Sequence, residues 1–135
     1  MKFLLDVSAL LSFAVLDHEF HRRVTHWVRA LAKNGVPELA TCAITELGFV
    51  RVLAQVPQYG FTVAQARQLL LRTKNNADVH CTFISDNHDV SHLPAWVETA
   101  KQITDGHLAQ LARANGAILA TLDRKIPGAF LIPER

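Results

Sequence analysis

The chain has 135 residues, half of them hydrophobic, which fits one compact domain spanning 1–135 and excludes a disordered chain. No apolar run approaches the roughly 20 residues that a bilayer-spanning helix needs. Fourteen Lys and Arg against twelve Asp and Glu leave a net charge of +2, so charge alone names no partner class.

In chain order, Lys2 to Leu5 reads as a first strand, and Ser8 is placed to cap a short helix running to Leu16. The Leu-rich start after Lys2 is broken by Asp6, and no small-x-small cleavage site follows. A secretory leader is therefore not expected, and the protein is expected to be cytoplasmic. Phe20, Val24, Trp27, Val28 and Leu31 form an amphipathic stripe that stops at Asn34-Gly35. A strand over Glu38 to Ala40 leads to Thr41, the expected cap of a helix from Ala43 to Gln55. After Pro57 and Gly60, Thr62 caps a helix to Lys74 that carries Arg67, Arg72 and Lys74. His80 to Ile84 is a strand, Asp86 to Pro94 a polar connection, and Trp96 to Lys101 a short helix. Thr104 is the expected cap of the helix holding Asp105, which stops at Asn115-Gly116. Ala117 to Leu122 is a buried strand, and Ala129 to Ile132 a weaker one. Strands alternating with helices define an α/β fold with a mainly parallel sheet. Cys42 and Cys81 are expected to be buried free thiols, because both sit in apolar surroundings.

Four acids occupy positions that should be apolar. Asp6 ends the run Phe3-Leu4-Leu5, and Asp123 follows the run from Ala117 to Leu122. Carboxylates at the C-terminal tips of parallel strands stand where open α/β sheets build their sites. Glu46 is in helical register with Val50 and Leu53, and Asp105 with Leu108 and Ala112. Each acid alone has a structural role open to it: a helix cap for Asp6, a solvated helical edge for Glu46, a favourable first turn for Asp105, a turn for Asp123. Converging on one end of the sheet, they would repel strongly unless a cation stood between them, because a buried unpaired carboxylate costs several kcal/mol. Oxygen donors without His or Cys suit Mg²⁺ or Mn²⁺. Ser8 and Thr121, each two residues from a strand-end acid, are placed to orient metal-bound water. With the four acids neutralised, 14 basic residues face 8 acidic ones, a surface suited to a polyanion.

The segments LLDVSALL around Asp6, TCAITELGFVRVL around Glu46, and ITDGHLAQLARANGAILATLDRKIPG around Asp105 and Asp123 resemble PIN-domain nucleases, in particular the VapC-type toxins of bacterial toxin–antitoxin pairs. The resemblance implies a three-layer α/β/α sandwich and a Mg²⁺- or Mn²⁺-dependent endoribonuclease. The acids matching Asp6, Glu46, Asp105 and Asp123 bind the metal in that family. It further implies an RNA substrate, an inhibiting antitoxin whose C-terminal segment crosses the active-site groove, and a homodimer. The stripe from Phe20 to Leu31 is a candidate wall of that groove. Many relatives carry a further acid shortly after Asp123, where this chain has Arg124-Lys125-Ile126. Arg124 and Lys125, with Arg67, Arg72 and Lys74, are candidates to hold the RNA backbone. His107 is a weaker candidate for a phosphate contact. The competing reading is a silent PIN-fold module that binds RNA or protein without cutting; the four intact acids argue against it.

Overall fold

The computed structural model describes residues 1–134; Arg135, the last residue of the expected domain, lies outside the described residues. The strands are β1 (Lys2–Leu5), β2 (Glu38–Cys42), β3 (His80–Ile84), β4 (Ala117–Thr121) and β5 (Phe130–Leu131). The helices are α1 (Val7–Ala14), α2 (His21–Leu31), α3 (Ala43–Gln55), α4 (Val63–Lys74) and α5 (Ile103–Ala114). The strands form one sheet in the order β3-β2-β1-β4-β5, with every pairing parallel.

Strand periodicity divides the core into two layers. On β1, Phe3 and Leu5 face one way and Leu4 the other; on β2, Leu39 opposes Ala40. Phe3, Leu5 and Leu39 pack beneath α1 to α4 with Leu10, Trp27, Phe49, Leu53 and Leu70. Leu4, Ala40 and Leu119 pack on α5 through Leu108, Leu111 and Ala112. The result is an α/β/α sandwich whose strands are apolar on both faces, as parallel strands covered on both sides must be.

Helix starts differ from the expected caps at several places. Asp6, and not Ser8, caps α1: its Oδ1 accepts the Ala9 amide at 2.8 Å. α1 then stops at Ala14, short of the expected Leu16. Cys42, and not Thr41, is the N-cap of α3, its amide donating to Thr45 Oγ1 at 3.0 Å. β2 runs two residues past Ala40 because its pairing with β3 continues to Cys42–Ile84. Thr62 does cap α4, in a reciprocal box with Gln65. Thr104 sits inside the first turn of α5, which starts at Ile103 after a 3₁₀ turn over Ala100–Gln102. That 3₁₀ turn is all that forms of the helix expected over Trp96 to Lys101, a segment too short to nucleate alone. Trp96 instead follows tertiary packing, half-buried against the α5 layer. Both cysteines are free; Cys42 is buried and Cys81 partly so.

Candidate active site

Parallel strands bring their C-terminal ends to one edge, and the acids gather there. β1 and β4 are neighbours with Leu5 opposite Ala120, so the residues that follow them, Asp6 and Thr121, stand side by side. Thr121 Oγ1 donates to Asp6 Oδ2 at 2.6 Å and accepts the Asp123 amide at 3.0 Å. One hydroxyl thus joins the two strand-end acids. Asp105 enters from the other layer, in the first turn of α5.

Asp6 is only 8% exposed. Burial pushes its carboxyl above the ordinary value; the Thr121 and Ala9 hydrogen bonds pull it back, and Asp105 and Asp123 push it up again. Asp105, half-buried, is raised by burial and then by Asp123. Three aspartates therefore share one field, and the anionic form of Asp6 and of Asp105 is disfavoured by burial first and by the neighbouring acids second. A cation among them would reverse the sign of that interaction.

Glu46, in the first turn of α3, is held differently. Its Oε2 accepts both Thr41 Oγ1 and Lys74 Nζ at 2.6 Å, with both ionic partners about one-fifth exposed. Lys74 also lies 5.5 Å from the Phe83 ring centroid. The structure thus puts Asp6, Asp105 and Asp123 within one another's electrostatic reach, while Glu46 is engaged by Thr41 and Lys74. Among the described residues, no three His, Cys, Asp or Glu side chains stand close enough together to hold a metal ion as a ready-made group. An open set of oxygen donors fits Mg²⁺, which keeps several waters and takes few protein ligands.

The remaining candidates are distributed around this edge. Ser8 is exposed in the first turn of α1, and its side chain makes no hydrogen bond among the described residues. Arg124 and Lys125 are exposed beside Asp123; Arg124 pairs with Glu134 at 3.2 Å, and the Lys125 amide donates to Asp123 Oδ1 at 2.9 Å. Arg67 and Arg72 are exposed on α4, Arg72 bordering an open cleft of about 600 Å³ with Phe13, Leu16 and Phe61. His107 pairs with Asp86 at 2.5 Å. Burial pushes Asp86 up, but bonds from His107 and the His88 amide, with the charge of both imidazoles, outweigh it and leave the carboxyl below its ordinary value.

Two glycines that sequence reasoning passed over shape the site. A Cβ on Gly48 would lie 2.6 Å from a Val7 methyl, so α3 approaches the first turn of α1 only because position 48 is bare. A Cβ on Gly106 would run into Val97, against which the Asp105 turn rests. Their signal was their place in the chain, two residues after Glu46 and one after Asp105.

A parallel five-stranded sheet with acids at its C-terminal edge defines a class, and the PIN domain model matches residues 3–129. The chain belongs to the PIN-domain family. Among its relatives, it is 36% identical over 140 residues to Ribonuclease VapC44 of Mycobacterium tuberculosis, covering 96% of this chain and 94% of the relative. Identity to Ribonuclease VapC38 of the same organism is 38% over 137 residues, covering 98% and 90%. For Ribonuclease VapC29 it is 34% over 128 residues, covering 91% and 86%.

Proposed function

We propose that this chain, as one PIN domain over residues 1–135, is a Mg²⁺- or Mn²⁺-dependent endoribonuclease and the toxin of a toxin–antitoxin pair. The observation that carries the reading is the meeting of Asp6, Asp105 and Asp123 at the C-terminal edge of the sheet, where burial first and neighbouring acids second raise the carboxyls of Asp6 and Asp105. Relatives named as VapC ribonucleases, matched over nearly their whole length, support it. Bound there, the ion would supply Lewis acidity and charge neutralisation for phosphodiester hydrolysis.

The chain's own residues divide the work. Asp6 and Asp105 would hold the ion directly, and Asp123 would hold it directly or through water. Thr121 fixes the carboxylate of Asp6 and the turn of Asp123, and Ser8 orients water at the mouth. Glu46, paired with Lys74, would join the ion or take the proton of the attacking water. Arg124 and Lys125 hold the backbone next to the site, with Arg67 and Arg72 further along.

The antitoxin segment fits the apolar cleft between α1, α2 and α4 better than the stripe from Phe20 to Leu31. Val24, Trp27 and Val28 of that stripe are spent on the core, Trp27 packing edge-on against Phe3 at 5.0 Å. Homodimerisation and a cytoplasmic location complete the proposal; among the described residues no helix is long and apolar enough to cross a membrane.

The test incubates antitoxin-free protein, with its Asp6→Asn and Asp105→Asn forms, with total bacterial RNA under Mg²⁺, Mn²⁺ or chelator. Mapped, discrete cuts that need metal and vanish in both variants are expected. Equal cutting by the variants would reject the site. No cutting by the wild type, with metal binding retained, would favour the silent binding module.

A further inference from the structure

The outer face of α2 carries charge that the proposed chemistry does not use. The helix turns Val24, Trp27 and Val28 into the core, and Arg23 fastens it to the end of β5 by donating to the Ile132 carbonyl through Nε at 3.1 Å and Nη2 at 2.5 Å. What remains outside is Arg22, His26 and Arg29, at the i, i+4, i+7 spacing that puts them on one face. All three are exposed, and none makes an ion pair among the described residues. Seven residues of α-helix rise about 10 Å, so three nitrogen-bearing side chains line one rigid edge.

This edge borders an open groove of about 560 Å³ that is also lined by Glu19 and Phe20 at the start of α2 and by Glu134. Phe20 is 37% exposed, with the Arg23 guanidinium 5.9 Å from its ring centroid. Glu19 opposes the positive charge. Glu134 is already paired with Arg124, and that pair links the groove to the loop carrying Asp123. Cations in a row with an exposed aromatic ring among them are what a single nucleic-acid strand recognises: phosphates meet the charges and a base stacks on the ring.

We propose that the α2 edge and its groove form a track for single-stranded RNA that continues from the active-site rim at Arg124. Arg22 and Arg29 neutralise phosphates, and Phe20 receives a base. The inference rests on the ribonuclease reading for its occupant but extends it to a surface away from the acids.

The test measures binding of a labelled oligouridine to the full chain in chelator, by fluorescence anisotropy, from about 50 to 200 mM salt. The Arg22→Gln/Arg29→Gln variant should lower the slope of log affinity against log salt by about 1.4, at about 0.7 per lost phosphate contact on a single strand. Phe20→Ala should weaken binding roughly fivefold or more with the slope unchanged. Arg51→Gln/Arg113→Gln, with two exposed arginines on α3 and α5, should leave both quantities as in the wild type. Melting curves establish that all variants fold. An unchanged slope in Arg22→Gln/Arg29→Gln, or an equal loss in Arg51→Gln/Arg113→Gln, would overturn the track. Because no cleavage is involved, an inactive protein that still loses the slope would retain the track and reject only the nuclease.

Discussion

Asp105→Asn is expected to abolish metal-dependent cleavage while making the metal-free protein harder to melt at neutral pH. Removing one positioned electrostatic group from an active site commonly costs on the order of 10²–10³ in turnover, and loss of a metal ligand should cost at least that. The stability gain follows from the sign of the pKa shift. Burial and Asp123 raise the Asp105 carboxyl above its ordinary value of 3.8. The folded chain therefore binds more protons than the unfolded chain between the two values. Stability is fully present below pH 3.8 and is lost as pH rises through the raised folded value. Asn carries no charge to disfavour, so the variant should lack this loss, less what the charge contributes at the N-terminus of α5. Thermal melting in chelator across pH 3 to 8, beside an RNA cleavage assay, measures both effects. A variant that cuts RNA as well as the wild type would remove Asp105 from the chemistry, and an equal or lower melting temperature at pH 7 would contradict the repulsion argument.

Thr121→Val should produce the second large effect, without touching any proposed ligand. The substitution keeps the shape of a side chain that is 1% exposed and deletes the hydroxyl joining Asp6 to the Asp123 amide. The buried Asp6 acceptor loses a partner, at about 1–3 kcal/mol for an unsatisfied group, and the part-buried Asp123 amide loses one at less cost because water reaches it. Asp6 also loses the strongest of the bonds that lower its carboxyl, so its anion becomes still less favourable. Metal affinity should fall roughly 10- to 100-fold, the range for lost groups that orient ligands. Thr121→Ser restores the hydroxyl and should recover most of the affinity. Equal Mn²⁺ affinity in Thr121→Val and the wild type would show that the hydroxyl does not prepare Asp6 for metal.

How much of this was legible in the sequence depends on the range of the interaction. Asp6 and Asp123 were legible because each terminates an apolar run, and a parallel sheet has only one edge where such residues can meet. Thr121 was legible for the same reason, although it bonds a residue 115 positions away. The chain order of strands and helices followed from the apolar pattern, and so did the burial of β4. The engagement of Glu46 by Lys74, 28 residues apart, was not legible, because it depends on how α3 packs against α4. The same limit applies to Asp86, which meets His107 only when the segment after β3 packs against α5. Cap positions failed for a local reason: Asp6 and Ser8 both have suitable side chains, and the end of β1 decides between them. Trp96 shows tertiary packing overriding a weak helical pattern, while Gly48 and Gly106 are explained by neighbours contributed from Val7 and Val97.

The most direct measurement of the central claim is a calorimetric titration of Mn²⁺ into metal-free wild type, Asp105→Asn and Asp123→Asn, at two pH values. Saturable binding by the wild type is expected, tighter at the higher pH because protons on Asp6 and Asp105 compete with the ion. Binding should be sharply weakened in both variants. Equal binding by all three proteins, or none by the wild type, would contradict a cation site built from Asp6, Asp105 and Asp123.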